Sequence, residues 1–320
     1  MVPRLLLIGI IGAIALASWL ATWGLWRYEA AVRDLGPIET RQFESPTLVL
    51  LGTGGAFENP SRLGPALAVG VDSTVLLVDA GRAVAETLRS SGIALSQPSA
   101  VYLTSLLPEN TVGLDDLLTT GWRAGRSRPL RLVGPPGTRA LARSLEAALA
   151  AALEPLAIQY GLPLMGARFE VEEIDGPWSG SEDTVTVRAL PLAGGPLPSF
   201  GFRFETGGRS LVVGGTDRDP ESLAELAGGA DTLVHGAVFG DSVRAAIEAG
   251  AADAERLEHE AGLQLSLREA ARTAERAGVA RLVLVRLRPP PLFDFQFERV
   301  AGESFEGRVV VARDGDELTL

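Results

Sequence analysis

The chain has 320 residues, 46% of them hydrophobic and 22% charged, which is enough for a sizeable packed core and excludes extended disorder. Its 40 acidic and 29 basic residues give a formal net charge of −11, which argues against nucleic acid as a partner because phosphate binding depends on Lys and Arg. With no Cys and two His, disulfides, thiolate ligands and a multi-histidine metal centre are excluded.

An uncharged apolar segment, LLLIGIIGAIALASWLATWGLW, runs from Leu5 to Trp26. Its length is about the 20 residues that a helix needs to cross the hydrocarbon core of a bilayer. Aromatic residues of the interfacial type cluster toward its end: Trp19, Trp23, Trp26 and Tyr28. We therefore predict a single-pass membrane anchor over residues 1–28, with the following domain outside the cytoplasm. A cleaved signal peptide with a small-residue site at Ala15-Leu16-Ala17 is the alternative.

Residues 29–46 have mixed charge and are predicted to be a linker, followed by one large domain over residues 47–320. Short β-rich apolar runs predict strands, and Ala- and Leu-rich stretches predict helices. The predicted strands are Thr47–Leu51, Ala66–Val71, Thr74–Val78, Ser99–Leu103 and Arg281–Leu287, and the predicted helices are Arg82–Ser91 and Ala140–Ala152. The alternating segment Leu292–Phe297, LFDFQF, is predicted to be a strand or an extended flap.

The stretch Leu103–Leu118, LTSLLPENTVGLDDLL, resembles the metal-binding loop T-H-x-H-x-D-H-x-x-G-L of the metallo-β-lactamase superfamily. Other stretches are similar to the ribonuclease Z and arylsulfatase-like branch of that superfamily and follow in its order between Leu48 and Arg313, among them LVLLGTGGAF, LLVDAG, RLVGPPGT, FGFRFETGGRSLVVGGTD and ADTLVHGAVF. The resemblance implies an α/β fold of the αββα type, with two mixed sheets face to face and helices outside. One transmembrane helix would precede it.

The resemblance places other residues where the family has its metal ligands. In the first loop, Ser105, Leu107 and Asn110 replace histidines and Glu109 replaces an aspartate. Further positions that correspond to ligands or catalytic groups are Gly194, Thr216 (or Asp217 after a one-residue shift), Arg286 and the catalytic-histidine position Gln264. Hydroxyl, isobutyl and amide groups do not replace imidazole as zinc ligands. We therefore expect no metal and no other cofactor here, although the family uses two zinc ions.

Carboxylates left in a partly buried cleft need a counter-charge, so we predict that Arg286 pairs with Asp79, Glu109 or Asp217. The predicted function is that of a pseudo-hydrolase that binds a small molecule or a protein. The alternative is an active hydrolase of phosphoesters, sulfate esters or similar substrates that uses rearranged ligands or another ion. In that case Glu109, Asp79, Asp116 and Asp217 would supply oxygen ligands.

Overall fold

The computed structural model describes residues 2–34, 36, 38–56, 61–215, 217–250, 255, 258–259, 262–291 and 293–320, with the backbone alone at 2–10, 30–34 and 246. It divides into two compact units, Met1–Ile38 and Glu39–Leu320. The second unit carries both sheets, and its first strand starts at Phe43, ahead of the predicted boundary at residue 47.

The N-terminal unit contains helix α1, Val2–Asp34. Its Leu- and Ala-rich sequence has no Pro after position 3, so nothing interrupts the backbone hydrogen bonds of the helix. Within the residues that the structure describes, no helix has both the length and the apolar character needed to cross a bilayer. The first part of the predicted span, residues 5–10, lies outside the residues whose side chains are described.

One mixed sheet is formed mainly by the first half of the large unit. Its strands are β1 (Phe43–Gly52), β2 (Ala66–Asp72), β3 (Thr74–Val78), β4 (Pro98–Tyr102), β5 (Leu130–Gly134), β6 (Phe169–Glu173) and β14 (Glu317–Thr319). The spatial order is β14-β1-β2-β3-β4-β5-β6. The pairs from β14 to β3 are antiparallel and those from β3 to β6 are parallel.

The second mixed sheet repeats this pattern. Its strands are β7 (Trp178–Glu182), β8 (Val185–Leu192), β9 (Ser199–Thr206), β10 (Arg209–Val213), β11 (Thr232–Val238), β12 (Arg281–Arg288) and β13 (Arg308–Val311). The order is β13-β12-β11-β10-β9-β8-β7, antiparallel from β7 to β10 and parallel from β10 to β13. All five predicted strands outside Leu292–Phe297 coincide with observed strands to within a few residues.

Each sheet is apolar on both faces, which explains the continuous hydrophobic runs of its central strands. In β1, Leu48 and Leu50 face the core between the sheets, whereas Val49 and Leu51 face the helices outside. The first sheet is covered by α2 (Val84–Ser90), α4 (Leu114–Arg123) and α5 (Thr138–Tyr160), and α3 is the short helix Pro108–Thr111. The second is covered by α6 (Pro220–Ala227), α8 (Leu267–Ala277) and α9 (Asp294–Gly302), and α7 is Gly240–Glu248. The layers are therefore αββα.

The prediction of a strand or flap at Leu292–Phe297 is wrong for its described part, and Leu292 itself lies outside the described residues. Helix α9 begins at Asp294. Its buried residues Phe297, Val300 and Ala301 have the spacing of one helix face, which packs on the second sheet. The two-residue alternation of LFDFQF is therefore incidental.

Candidate functional site

Polar side chains from both sheets gather where the parallel strands end. Asp79 follows β3, Ser105 and Asn110 follow β4, and Asp217 follows β10, while Arg286 lies near the end of β12. A bridge between Ser105 and Ser199 joins the two sheets at this edge. Carboxyl ends of parallel strands are the usual place for a binding site in α/β proteins. These five buried residues are called the carboxyl-edge site below.

The centre of the carboxyl-edge site is an ion pair. Arg286 Nη2 donates to Asp79 Oδ2, and both residues are buried. Both also have positive φ, 49° for Arg286 and 60° for Asp79, a conformation that costs a non-glycine residue about 1–2 kcal/mol. Burial raises the pKa of the Asp79 carboxyl, and the Arg286 charge together with hydrogen bonds from Thr104 opposes that rise. Arg286 therefore favours the ionised form of this buried carboxyl.

Asn110 extends this pair into a network. Its Oδ1 accepts from Arg286 Nη1 at 3.0 Å, and its Nδ2 donates to Ser105 Oγ at 2.9 Å and to Thr104 Oγ1 at 3.1 Å. Thr104 in turn donates through its backbone N–H to Asp79 Oδ1 at 2.8 Å and through its hydroxyl to Asp79 Oδ2 at 2.8 Å. Two of the histidine positions of the family loop thus hold neutral polar groups whose hydrogen bonds are made within the protein.

Asp217 has a different partner. Its Oδ2 lies 3.2 Å from His235 Nε2, and both side chains are fully buried. His235 Nδ1 lies 2.5 Å from the carbonyl oxygen of Gly236, which can only accept, so Nδ1 carries a proton. Of the three acids predicted as partners of Arg286, the structure therefore brings Asp79 to it and places Asp217 against His235.

The remaining predicted positions contribute less polar chemistry. Leu107 and Glu109 are half-buried at the start of α3, and Gly194 is exposed in the loop after β8 with a φ of 87°. Gln264 is buried close to Arg286, across Gly236, and its Oε1 has no hydrogen-bond partner among the described residues. Thr216 lies outside the described residues. Asp116 is partly buried in the first turn of α4, where burial raises its pKa and the charges of Glu86 and Asp115 add to that rise.

A second buried network holds the backbone of Arg286 and was not predicted from the sequence. The Arg286 N–H donates to the carbonyl oxygen of Thr53 at 2.7 Å. Asp314 fixes Thr53 by accepting from its backbone N–H and from its hydroxyl, each at 2.7 Å. Buried Arg62 donates to the same hydroxyl at 2.9 Å. Asp314 is 261 residues from Thr53, so no local pattern signals the contact.

The side chains of the carboxyl-edge site, taken together, do not fit the two zinc ions that the family resemblance implies. Zinc needs imidazole, thiolate or carboxylate ligands, and a guanidinium carries the wrong charge and has no lone pair to give. Arg286 instead supplies a fixed positive charge beside the Asp79 carboxylate. Across the described ranges, no three His, Cys, Asp or Glu side chains come together as a metal-binding group.

Two mixed sheets covered by helices, with polar residues gathered at the carboxyl edge, define a protein of the metallo-β-lactamase fold. Solved structures agree: YhfI of Bacillus subtilis, a metallo-β-lactamase fold protein, matches with a TM-score of 0.64 and 17% identity over 85% of this chain and 98% of its own. The short form of human tRNase Z matches with a TM-score of 0.63 and 20% identity over 85% and 98%. No protein-family model matches the chain.

Sequence relatives give the family. Ribonuclease Z of Mycobacterium bovis is 33% identical over 273 residues, which cover 83% of this chain and 95% of the relative. Ribonuclease Z of Mycolicibacterium paratuberculosis is 34% identical over 289 residues, covering 85% and 96%. The chain therefore belongs to the ribonuclease Z family of the metallo-β-lactamase superfamily, as the motif resemblance indicated.

Proposed function

We propose that this member of the ribonuclease Z family has lost zinc-dependent hydrolysis and acts by binding a small molecule or a protein. The observation that carries the proposal is the ion pair of Arg286 with Asp79 and its extension to Asn110. The positively charged guanidinium takes the position of the last metal histidine, and Asn110 Oδ1 accepts a hydrogen bond from it.

The energetics of this arrangement favour a site without metal. A divalent cation beside Arg286 would meet like charge, and binding it to Asp79 would require breaking a buried ion pair, which costs about 3–5 kcal/mol. Arginine does not deprotonate under ordinary conditions, so a rise in pH does not free the Asp79 carboxylate from its partner. Without a metal, the pKa of water is not lowered toward 7, and hydroxide is scarce.

Active hydrolysis remains the second candidate, because Asp217 and His235 are both buried at the carboxyl edge, and an acid and an imidazole there are groups that a rearranged centre would use. Their mutual contact at 3.2 Å argues against it, since Gly236 engages His235 Nδ1 and His235 Nε2 would have to leave Asp217 Oδ2 before it bound an ion. The hydrolysis experiment below tests both candidates.

Hydrolysis is tested with the full-length chain in mild detergent and with Mycobacterium bovis ribonuclease Z as the matched control, both given zinc, manganese or magnesium. The substrates are a transfer RNA precursor and bis(p-nitrophenyl) phosphate. We expect turnover by the control and none above background by this chain. Metal-dependent turnover that disappears in the Asp217→Asn variant would overturn the proposal in favour of a rearranged centre.

The proposal includes membrane attachment through residues 5–26. Its support is the exposure of large apolar side chains on the described part of α1, among them Ile14, Trp19, Leu25 and Trp26. An exposed apolar surface of this kind marks contact with a membrane or a partner. We expect the full-length chain to sediment with membranes after washing with high salt and alkali, and a chain that starts at Glu29 to be recovered in the supernatant. Release of the intact chain by alkali would contradict the attachment.

A further inference from the structure

Between residues 11 and 26, α1 carries no charge and has apolar side chains around its whole circumference. Large side chains exposed by 49–65% include Ile11, Ile14, Leu16, Leu20, Leu25 and Trp26. At 100° per residue they spread over about two thirds of the circumference, and Ala and Gly occupy most of the rest. A protein groove or a second helix would cover a single stripe of such a surface. A helix that is apolar all round is found in the core of a large protein or in a membrane, and the exposure of these side chains to the outside of the protein favours the membrane.

Three side chains form a stacked stripe toward the end of this apolar surface. The rings of Trp19 and Trp23 stack with centroids 6.5 Å apart and planes 16° from parallel. The guanidinium carbon of Arg27 lies 5.4 Å from the centroid of the Trp23 ring. Residues four apart lie above one another on a helix, so Trp19, Trp23 and Arg27 share one face. Arg27 is also the first charged residue after Arg4.

We infer that the Trp19–Trp23–Arg27 stripe lies at the level of the lipid headgroups, with the Arg27 guanidinium on a lipid phosphate. The inference rests on the membrane attachment proposed above. At 1.5 Å per residue, the 18 steps from Leu5 to Trp23 span about 27 Å, close to the roughly 30 Å of a hydrocarbon core. Trp23 then lies at the core boundary, where Trp is enriched, and Arg27 reaches one turn farther, among the phosphates.

The absence of Cys allows single labels to measure this depth in the full chain. Ala13→Cys and Gly24→Cys are labelled with a nitrobenzoxadiazole fluorophore and reconstituted into phosphatidylcholine and phosphatidylglycerol vesicles that carry a nitroxide at a shallow or a deep acyl carbon. We expect the shallow nitroxide to cause the greater loss of fluorescence at residue 24 and the deep nitroxide the greater loss at residue 13. Greater quenching of residue 24 by the deep nitroxide would overturn the inference.

Arg27 is tested by two substitutions in the Gly24→Cys background. Arg27→Leu lengthens the apolar run and should move residue 24 toward the deep nitroxide, whereas Arg27→Lys keeps the charge and should leave its depth unchanged. Arg33→Leu is the matched control, because it removes a charge outside the stripe. An unchanged depth in Arg27→Leu refutes the role of Arg27 while the attachment stands. A chain that does not float with the vesicles refutes the attachment and the inference together.

Discussion

Replacing Arg286 with Ala removes the cation that faces the fully buried carboxylate of Asp79. Removing one partner of a buried ion pair costs about 3–5 kcal/mol, because the remaining charge is left in a medium of low polarity. The variant also loses the 3.0 Å hydrogen bond to Asn110 Oδ1. The free-energy cost of losing this bond is included in that range. We therefore expect the free energy of unfolding to fall by about 3–5 kcal/mol at pH 8.

The cost should depend on pH in a definite direction. Burial raises the pKa of Asp79 and the Arg286 charge opposes the rise, so removing Arg286 raises that pKa further. A group whose pKa is higher in the folded than in the unfolded chain contributes stability at low pH, and that contribution is lost as the pH rises through the folded pKa. Arg286→Ala should therefore destabilise the protein progressively less as the pH is lowered from 8, because the Asp79 carboxyl takes up a proton more readily without Arg286.

The assay is urea unfolding of the full-length chain in mild detergent, followed by tryptophan fluorescence, to which the fully buried Trp122 contributes. Arg286→Lys is the control, since it keeps the charge but loses the planar fork that serves Asp79 and Asn110 together, and it should cost less than Ala. Adding Asp79→Asn to Arg286→Ala should recover part of the loss. A change below about 1 kcal/mol for Arg286→Ala at pH 8 would contradict a buried ion pair between Arg286 and Asp79, because so small a free-energy contribution is that of a solvent-exposed pair.

Three further predictions are measured by the same unfolding assay. Asp314→Ala removes three hydrogen bonds from the loop that positions Arg286. We expect the free energy of unfolding to fall by about 2–4 kcal/mol. A loss of stability no larger than that of Asp316→Ala would contradict this. Tyr102→Phe deletes a buried hydroxyl with no partner among the described residues, so we expect no loss or a gain of up to about 1 kcal/mol; a clear loss would reveal a bound water. Hydrogen bonds from Arg41 lower the pKa of Glu317, so this carboxylate stabilises the fold above its ordinary pKa and the benefit is lost as the pH falls through the lowered value. Glu317→Gln should therefore cost less than about 1 kcal/mol at pH 7 and progressively less in acid, and an effect that does not change with pH would contradict the assignment.

Much of the fold follows from local pattern. The strand Thr74–Val78 was predicted with its observed bounds because it is a β-rich run that ends at a turn. The segment Leu292–Phe297 was misassigned because its alternation matches a strand in a short window. The helical spacing of Phe297, Val300 and Ala301 emerges only when the window extends beyond it and the second sheet supplies the packing surface.

The candidate site divides in the same way between local and distant information. The resemblance of short motifs to the family predicts the positions of Asp79 and Arg286 at strand ends. Local sequence does not show which of Asp79 and Asp217 lies beside Arg286, because this depends on how the two sheets pack. In the structure Asp79 pairs with Arg286, and Asp217 contacts His235 instead. The hydrogen bonds from Thr53 to Asp314 join the two ends of the large unit, and no local sequence pattern predicts a contact over such a separation.

If a guanidinium stands in the place of zinc at the carboxyl edge, as proposed above, the chain binds no zinc there, and zinc uptake measures this. The full-length chain is dialysed to equilibrium against micromolar zinc at pH 7.5 beside Mycobacterium bovis ribonuclease Z, and bound zinc is measured by elemental analysis. We expect no stoichiometric zinc in this chain, and none in Arg286→His, because Ser105, Leu107 and Asn110 still supply no imidazole. Two zinc ions per chain in the unmodified protein, lost in the Asp79→Asn variant, would contradict it.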